Sequence, residues 1–131
     1  MTDQHTSADS VSVAELIDLS GRRAFVTGGG KGIGAAIARR LVEAGAIVTI
    51  GDVDPDASQS ARAIGAEFVL CDVTSPADVH RAVSSAGEPR LDIVVNNAGI
   101  FPTTGPMLNA SDEFVSRMLD VNVRALFSVA R

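Results

Sequence analysis

Chemistry enters this chain at a run of glycines. The apolar residues Ala24-Phe25-Val26-Thr27 break into Gly28-Gly29-Gly30-Lys31-Gly32-Ile33-Gly34, and an alanine-rich pattern of helical spacing follows. Strand, tight turn and helix in that order bring backbone N–H groups and the positive end of a helix toward an anion, with no Cβ to hold a phosphate away. Gly30, Gly32 and Ala35 satisfy the alanine form of the dinucleotide fingerprint G-x-G-x-x-G/A. An NTPase-type loop would need Lys followed by Ser or Thr after its last glycine, and Ala35 and Ala36 stand there instead. Asp52 follows the loop at close to the spacing of about 20 residues at which a dinucleotide fold sets an acid against the adenosine ribose. A carboxylate there accepts ribose hydroxyl protons and repels a 2′-phosphate, which favours NAD over NADP. Two further polar sites stand out: Asn96-Asn97-Ala98-Gly99 after an apolar run, and Asn122 among Leu119, Val121, Val123 and Leu126. Buried amides need partners, so Asn122 implies a network, either functional or simply a satisfied core amide.

The spacing Thr27-Gly28-x-x-x-Gly32-x-Gly34, with Ile33 between the last two glycines, resembles the cofactor loop of the short-chain dehydrogenase/reductase family, and Asn96-Asn97-Ala98-Gly99 matches that family's motif residue for residue. The resemblance implies a Rossmann-type doubly wound α/β fold and hydride transfer between a nicotinamide and an alcohol or carbonyl substrate. It implies a cofactor site made of Gly28, Lys31, Gly32, Ile33, Gly34, Asp52, Asp72, Val73, Asn96, Ala98 and Gly99. Asp72-Val73 would be the pair that meets adenine, although an Asp at a strand end also serves as an ordinary turn residue. Asn122, in its Asp-Val-Asn context, would be the catalytic asparagine that holds a water in a proton relay. Lys31 opposes the NAD reading, because family members that prefer NADP often carry a basic residue just before that glycine; the carboxylate of Asp52 is given the greater weight. The family continues to a catalytic Ser and a Tyr-x-x-x-Lys motif, but these 131 residues contain no tyrosine. The resemblance covers residues 19–131 and the cofactor half alone. The expected protein is therefore the amino-terminal portion of such an enzyme, its doubly wound sheet incomplete at the C-terminus and inactive by itself. A non-catalytic dinucleotide-binding or interaction module is the alternative. A methyltransferase shares the glycine loop and the acid, but gives Asn96 to Gly99 and Asn122 no role.

The elements that must position these residues follow from periodicity. Short apolar runs alternate with helical stretches, the pattern of a parallel sheet covered on both faces. Strands are expected at about 23–27, 47–52, 67–72 and 91–96. Helices are expected at 33–44, from Pro55 to Gly65 with Asp54 as its cap, from Ser75 to Gly87, and from about 114 to 130. Sequential crossovers give the order 3-2-1-4, which leaves the fourth strand at an edge although Ile93-Val94-Val95 is written for the interior. Residues 1–18 read as a mobile tail, polar to about residue 12, with Val13, Leu16, Ile17 and Leu19 packing over a sheet edge. The loop 101–109, with Pro102, Gly105 and Pro106, is expected to border the substrate. At 46% hydrophobic and 21% charged residues the chain has the make-up of one globular domain. Its net charge of −5 argues against a nucleic-acid partner. No apolar run reaches the ~20 residues of a membrane helix. The first ten residues lack the basic start and apolar run of a secretory signal. A cytoplasmic enzyme without a metal is expected, as a homo-oligomer in full length. Cys71 is expected to be a small core residue. Neither His5 in the tail nor His80 on a helix replaces the missing base.

Overall fold

Phe25, Val26 and Ile50 are fully buried at the centre of a four-stranded parallel sheet. The computed structural model describes residues 11–101 and 107–131. Its elements are α1 (Val13–Leu16), β1 (Arg23–Thr27), α2 (Gly32–Glu43), β2 (Ile47–Asp52), α3 (Ala57–Ile64), β3 (Glu67–Leu70), α4 (Pro76–Ala86), β4 (Ile93–Val95), a 3-10 turn at Met107–Asn109, α5 (Asp112–Leu119), a π-helical turn at Asp120–Arg124, and α6 (Ala125–Ala130). The strand order is β3-β2-β1-β4, as sequential crossovers require. Phe25 stands opposite Thr49 on β2 and Val94 on β4.

Strand side chains alternate between faces, so each strand feeds two cores. Phe25 joins Cys71, Val73, Val79, Ala82, Ala86, Ala125 and Val129 on the face covered by α4 and α6. Ala24, Val26, Val48 and Ile50 join Ala38 and Ala61 on the face covered by α2 and α3. Alanine recurs where helices meet the sheet, which lets backbones approach closely. Ser75 caps α4 by accepting from Asp78 N at 3.3 Å, with Pro76 at the first position, and Ser111 caps α5 by accepting from Phe114 N at 3.2 Å. α3 ends at Gly65, whose φ is +78°.

Several expectations are corrected. α3 begins at Ala57 rather than Pro55, and its N-cap position belongs to Asp56. The Asp54 carboxylate is spent on a local turn, accepting from Asp56 N at 3.0 Å. β3 ends at Leu70, two residues early, although Cys71 N still donates to Asp52 O at 2.9 Å. β4 is only three residues long against the expected 91–96, and it lies at the edge that the strand order assigns to it, with Val94 40% exposed. Val13, Leu16 and Ile17 do not cover a sheet edge: Val13 and Leu16 are exposed on α1 and Ile17 at its end, and only Leu19 packs against the core. The last helix is interrupted by the π-helical turn. His5, residues 1–10, and Pro102, Gly105 and Pro106 lie outside the described residues.

Candidate functional site

At the carboxyl ends of the strands the β1–α2 loop, the ends of β2 and β3, the segment after β4 and helix α5 enclose a cleft of about 1210 Å3. This is where a doubly wound sheet places its ligand. Gly28, Lys31, Asp52, Asp72, Val73, Ala98 and Gly99 line it. Gly32, Ile33, Gly34, Asn96 and Asn122 do not.

Local packing explains most of that division. Gly28 has φ +62°, and a Cβ there would sit 2.9 Å from Ala98 Cα, so the turn that ends β1 needs glycine on both counts. Its N–H donates to Gly51 O at 2.7 Å, which ties the loop to β2. Gly34 is buried one helical turn below; a Cβ there would lie 2.3 Å from Gly28 O and 2.4 Å from Asn97 Nδ2. It therefore sets how closely α2 approaches β1 and β4. Ile33 is exposed on the outer face of α2, and Gly32 opens the helix with free space around it.

Two residues, Thr27 and Asn97, stand in the sequence motifs but outside the expected set of site residues. Thr27 Oγ1 accepts from both Asn97 N and Ala98 N at 3.0 Å and donates to Val95 O at 3.3 Å. The Asn97 side chain donates from Nδ2 to Gly28 O at 2.9 Å and Thr27 O at 3.1 Å. Asn97, rather than the exposed Asn96, thus fastens β4 to the glycine loop. The Asn-Asn pair was a signal for such tying, but alternation along a strand end does not say which of two neighbours turns inward.

Asp52 Oδ2 accepts from Gly30 N at 2.9 Å and Oδ1 from Asp54 N at 3.1 Å. Each oxygen keeps a further lone pair, and the carboxylate borders the cleft beside Lys31. A Cβ on Gly30 would lie 2.5 Å from Ala57 Cβ and 2.9 Å from Asp52 Oδ2, so only glycine lets the loop close onto that carboxylate. These residues fit a dinucleotide: a loop stripped of side chains, a helix N-terminus and a carboxylate with acceptors to spare. Asp72 both lines the cleft and makes a turn, Oδ1 accepting from Thr74 N at 2.9 Å and Thr74 Oγ1 at 2.7 Å.

Asn122 sits in the π-helical turn, where Ala125 N donates back to Asp120 O. Its Oδ1 accepts from Ile100 N and its Nδ2 donates to Ile100 O, both at 2.8 Å. The side chain expected to hold a water is engaged on the backbone of Ile100, which itself lines the cleft. Such π-helical turns recur at functional sites. Cys71 is 1% exposed at the cleft floor, and burial, with the Asp78 charge adding to it, pushes its thiol up to about 11. That fits an inert core residue. His80 is exposed on α4. Among the described residues no group of His, Cys, Asp and Glu could hold a metal ion, and no helix is long and apolar enough to cross a membrane.

A family model described as enoyl-(acyl carrier protein) reductase matches residues 28–131. The chain is 39% identical over 106 residues to short-chain dehydrogenase reductase ATA1 of Arabidopsis thaliana, covering 79% of this chain and 39% of that protein. It is 37% identical over 116 residues to L-fucose dehydrogenase of Bos taurus, covering 86% and 43%. Among solved structures it is similar to 3-ketoacyl-(acyl-carrier-protein) reductase of Brucella melitensis complexed with NADH, with TM-score 0.82, 35% identity, and coverage of 87% of this chain and 49% of that one. It is also similar to a short chain dehydrogenase of Burkholderia cenocepacia J2315 in complex with NADP, with TM-score 0.77, 39% identity, and coverage of 86% and 49%. The chain spans about two-fifths of the length of these curated relatives. With the glycine loop, the parallel order β3-β2-β1-β4 and these matches together, the chain belongs to the short-chain dehydrogenase/reductase family and carries an amino-terminal portion of its Rossmann fold.

Proposed function

We propose that this chain is the cofactor half of an NAD-dependent oxidoreductase acting on an alcohol or carbonyl substrate. The observation that carries the NAD preference is the Asp52 carboxylate, fixed at the cleft wall by Gly30 N and Asp54 N with acceptor capacity remaining. Lys31 beside it pulls toward a phosphate, and the related structures include complexes with NADH and with NADP. The carboxylate decides, because it would have to lose its solvation against a 2′-phosphate of like charge.

When bound, the nicotinamide gives or takes the hydride at the alcohol or carbonyl carbon. The residues of this chain bind and orient. The loop from Gly28 to Gly34 and the N-terminus of α2 hold the pyrophosphate, Asp52 the adenosine ribose, and Asp72 with Val73 the adenine. Ala98 and Gly99 leave room for cofactor sugar, and Asn96 beside them belongs to the strand-end pair that ties neighbouring backbone. Asn122 holds Ile100 in place and serves the proton relay from the π-helical turn. With no tyrosine in the 131 residues, the isolated chain turns over no substrate. The half-exposed Val94 on the β4 edge and the exposed Leu119 and Phe127 favour association into a homo-oligomer, and we place the protein in the cytoplasm.

Calorimetric titration of NAD and NADP tests this reading: the chain should bind NAD more tightly, and Asp52→Ser combined with Val53→Arg should narrow or reverse the difference. Equal or NADP-favouring affinity in the unmutated chain refutes the preference. Measurable NADH formation with a panel of secondary alcohols refutes the division of labour.

A further inference from the structure

A closed set of contacts lies behind the Asp72 turn, made by Leu70, Asp78 and Arg81, which do not line the cleft, with Asp72, which does. Asp72 N donates to Asp78 Oδ2 at 3.2 Å. Asp78 Oδ1 accepts from Arg81 Nη1 at 2.9 Å, and Arg81 Nη2 donates to Leu70 O at 3.0 Å. Leu70, Asp72 and the first turn of α4 are thereby joined in one ring through two side chains. Within the turn, Thr74 occupies Asp72 Oδ1 twice, while Oδ2 has no partner among the described residues. One carboxylate oxygen is tied down and the other is left available at the cleft wall. An ion pair as exposed as Arg81–Asp78, with the Arg81 side chain 57% accessible, adds little to stability, so stability alone does not account for the ring. The Asp78 carboxyl is held below the usual carboxylate range, first by the Asp72 N–H and then by Arg81, and so stays an acceptor down to low pH.

We infer that Arg81 and Asp78 are positioning residues that hold the Asp72 carboxylate so that it distinguishes a 6-amino purine from a 6-oxo purine. The inference rests on the proposed reading of the cleft as a dinucleotide site. The amino group of adenine donates to a carboxylate oxygen. The 6-oxo group of hypoxanthine is an acceptor and would face another acceptor there. Discrimination of this kind requires a carboxylate that cannot swing away. Thr74 alone does not fix Asp72 if the backbone that carries both residues shifts; Cys71 N to Asp52 O and Ser75 N to Asp72 O hold that backbone on either side, and the Asp78–Arg81 ring adds the side-chain tie from the Asp72 N–H itself to β3 and α4.

The test measures affinities of AMP, IMP and nicotinamide mononucleotide by calorimetry for the unmutated chain, Arg81→Ala, Asp78→Asn and Arg81→Lys. AMP should be preferred over IMP by the unmutated chain. In Arg81→Ala and Asp78→Asn that preference should fall by about tenfold, the size of one hydrogen bond to a charged group. Arg81→Lys can reach one of the two acceptors and should restore it in part. Nicotinamide mononucleotide lacks a purine, so its affinity should not change. An AMP-to-IMP preference that survives in both variants overturns the inference while leaving the cofactor reading intact, and so does an equal loss for all three ligands. If the unmutated chain binds none of the three, the cofactor reading fails first and this inference with it.

Discussion

Alanine at position 34 is the sharpest steric test of the loop. Its methyl group would stand 2.3 Å from Gly28 O, 2.4 Å from Asn97 Nδ2 and 3.0 Å from Gly28 C, where ordinary contact begins at 3.4 Å. Two of these neighbours are backbone, and the third is an amide pinned to Gly28 O and Thr27 O, so none can rotate aside. Helix α2 must therefore withdraw from β1 by about 1 Å, which overpacks or opens the core at a cost of ~1–3 kcal/mol. Stretching the Asn97 hydrogen bonds costs about 1 kcal/mol more. Alanine's better helix propensity returns up to ~1 kcal/mol. With the full propensity gain returned the net loss is about 1–3 kcal/mol, or a melting temperature lower by roughly 4–12 °C for a domain of this size. Gly32→Ala is the matched control: its methyl meets nothing within 4 Å, and only the φ of +58° opposes it, at about 1 kcal/mol. Thermal melting followed by circular dichroism should rank unmutated chain above Gly32→Ala above Gly34→Ala. A Gly34→Ala protein that melts no lower than Gly32→Ala would refute the packing account of this glycine.

Thr27→Val should cost about 1–3 kcal/mol, because the half-buried N–H groups of Asn97 and Ala98 both lose the buried Thr27 hydroxyl as acceptor, and Thr27→Ser should recover most of it. A urea midpoint for Thr27→Val equal to that of the unmutated chain would contradict this. Cys71 should react slowly with maleimide at neutral pH when folded and quickly in denaturant; rapid labelling of the native chain would show that the thiol is not held at the cleft floor. Folding raises this thiol from 9.0 to about 11, so its contribution to stability is complete below pH 9 and lost as pH rises through 11. Cys71→Ala should flatten that alkaline arm in pH-dependent melting, and an unchanged arm would assign it to other groups.

The elements whose signals are local were legible. β1 and β2 fall on their expected residues because their apolar runs are bounded by a turn on one side and by glycine or an acid on the other. Gly28 and Lys31 of the loop, Asp52, and Ala98 with Gly99 line one cleft because a doubly wound sheet gathers the carboxyl ends of its strands. What sequence could not supply depends on long-range geometry. Asp54 and Asp56 are both competent caps, and hydrogen bonding within the Asp54 turn selects Asp56 for the N-cap position. The edge position of Val94 was legible from the crossover order, whereas the shortening of its strand to Ile93–Val95 was not, because it depends on which residues pair with β1. The pattern from Phe114 to Ala130 fits one helix equally well with or without a π-helical turn, which is visible only once Asn122 is seen clamped on Ile100. Thr27 opens the glycine-loop motif, but nothing in its neighbours in sequence reveals the two N–H groups that converge on it from β4's end.

The most direct test of the central claim is an amide chemical-shift titration of the 15N-labelled chain with NAD. The account predicts saturable shifts concentrated at Gly28 to Gly34, Asp52 to Asp54, Asp72 and Val73, and Ala98 and Gly99, with α1 and the exposed Leu126–Phe127 face unmoved, and a tighter constant for NAD than for NADP. An absence of shifts at millimolar NAD, or saturable shifts confined to residues outside the cleft, would contradict it.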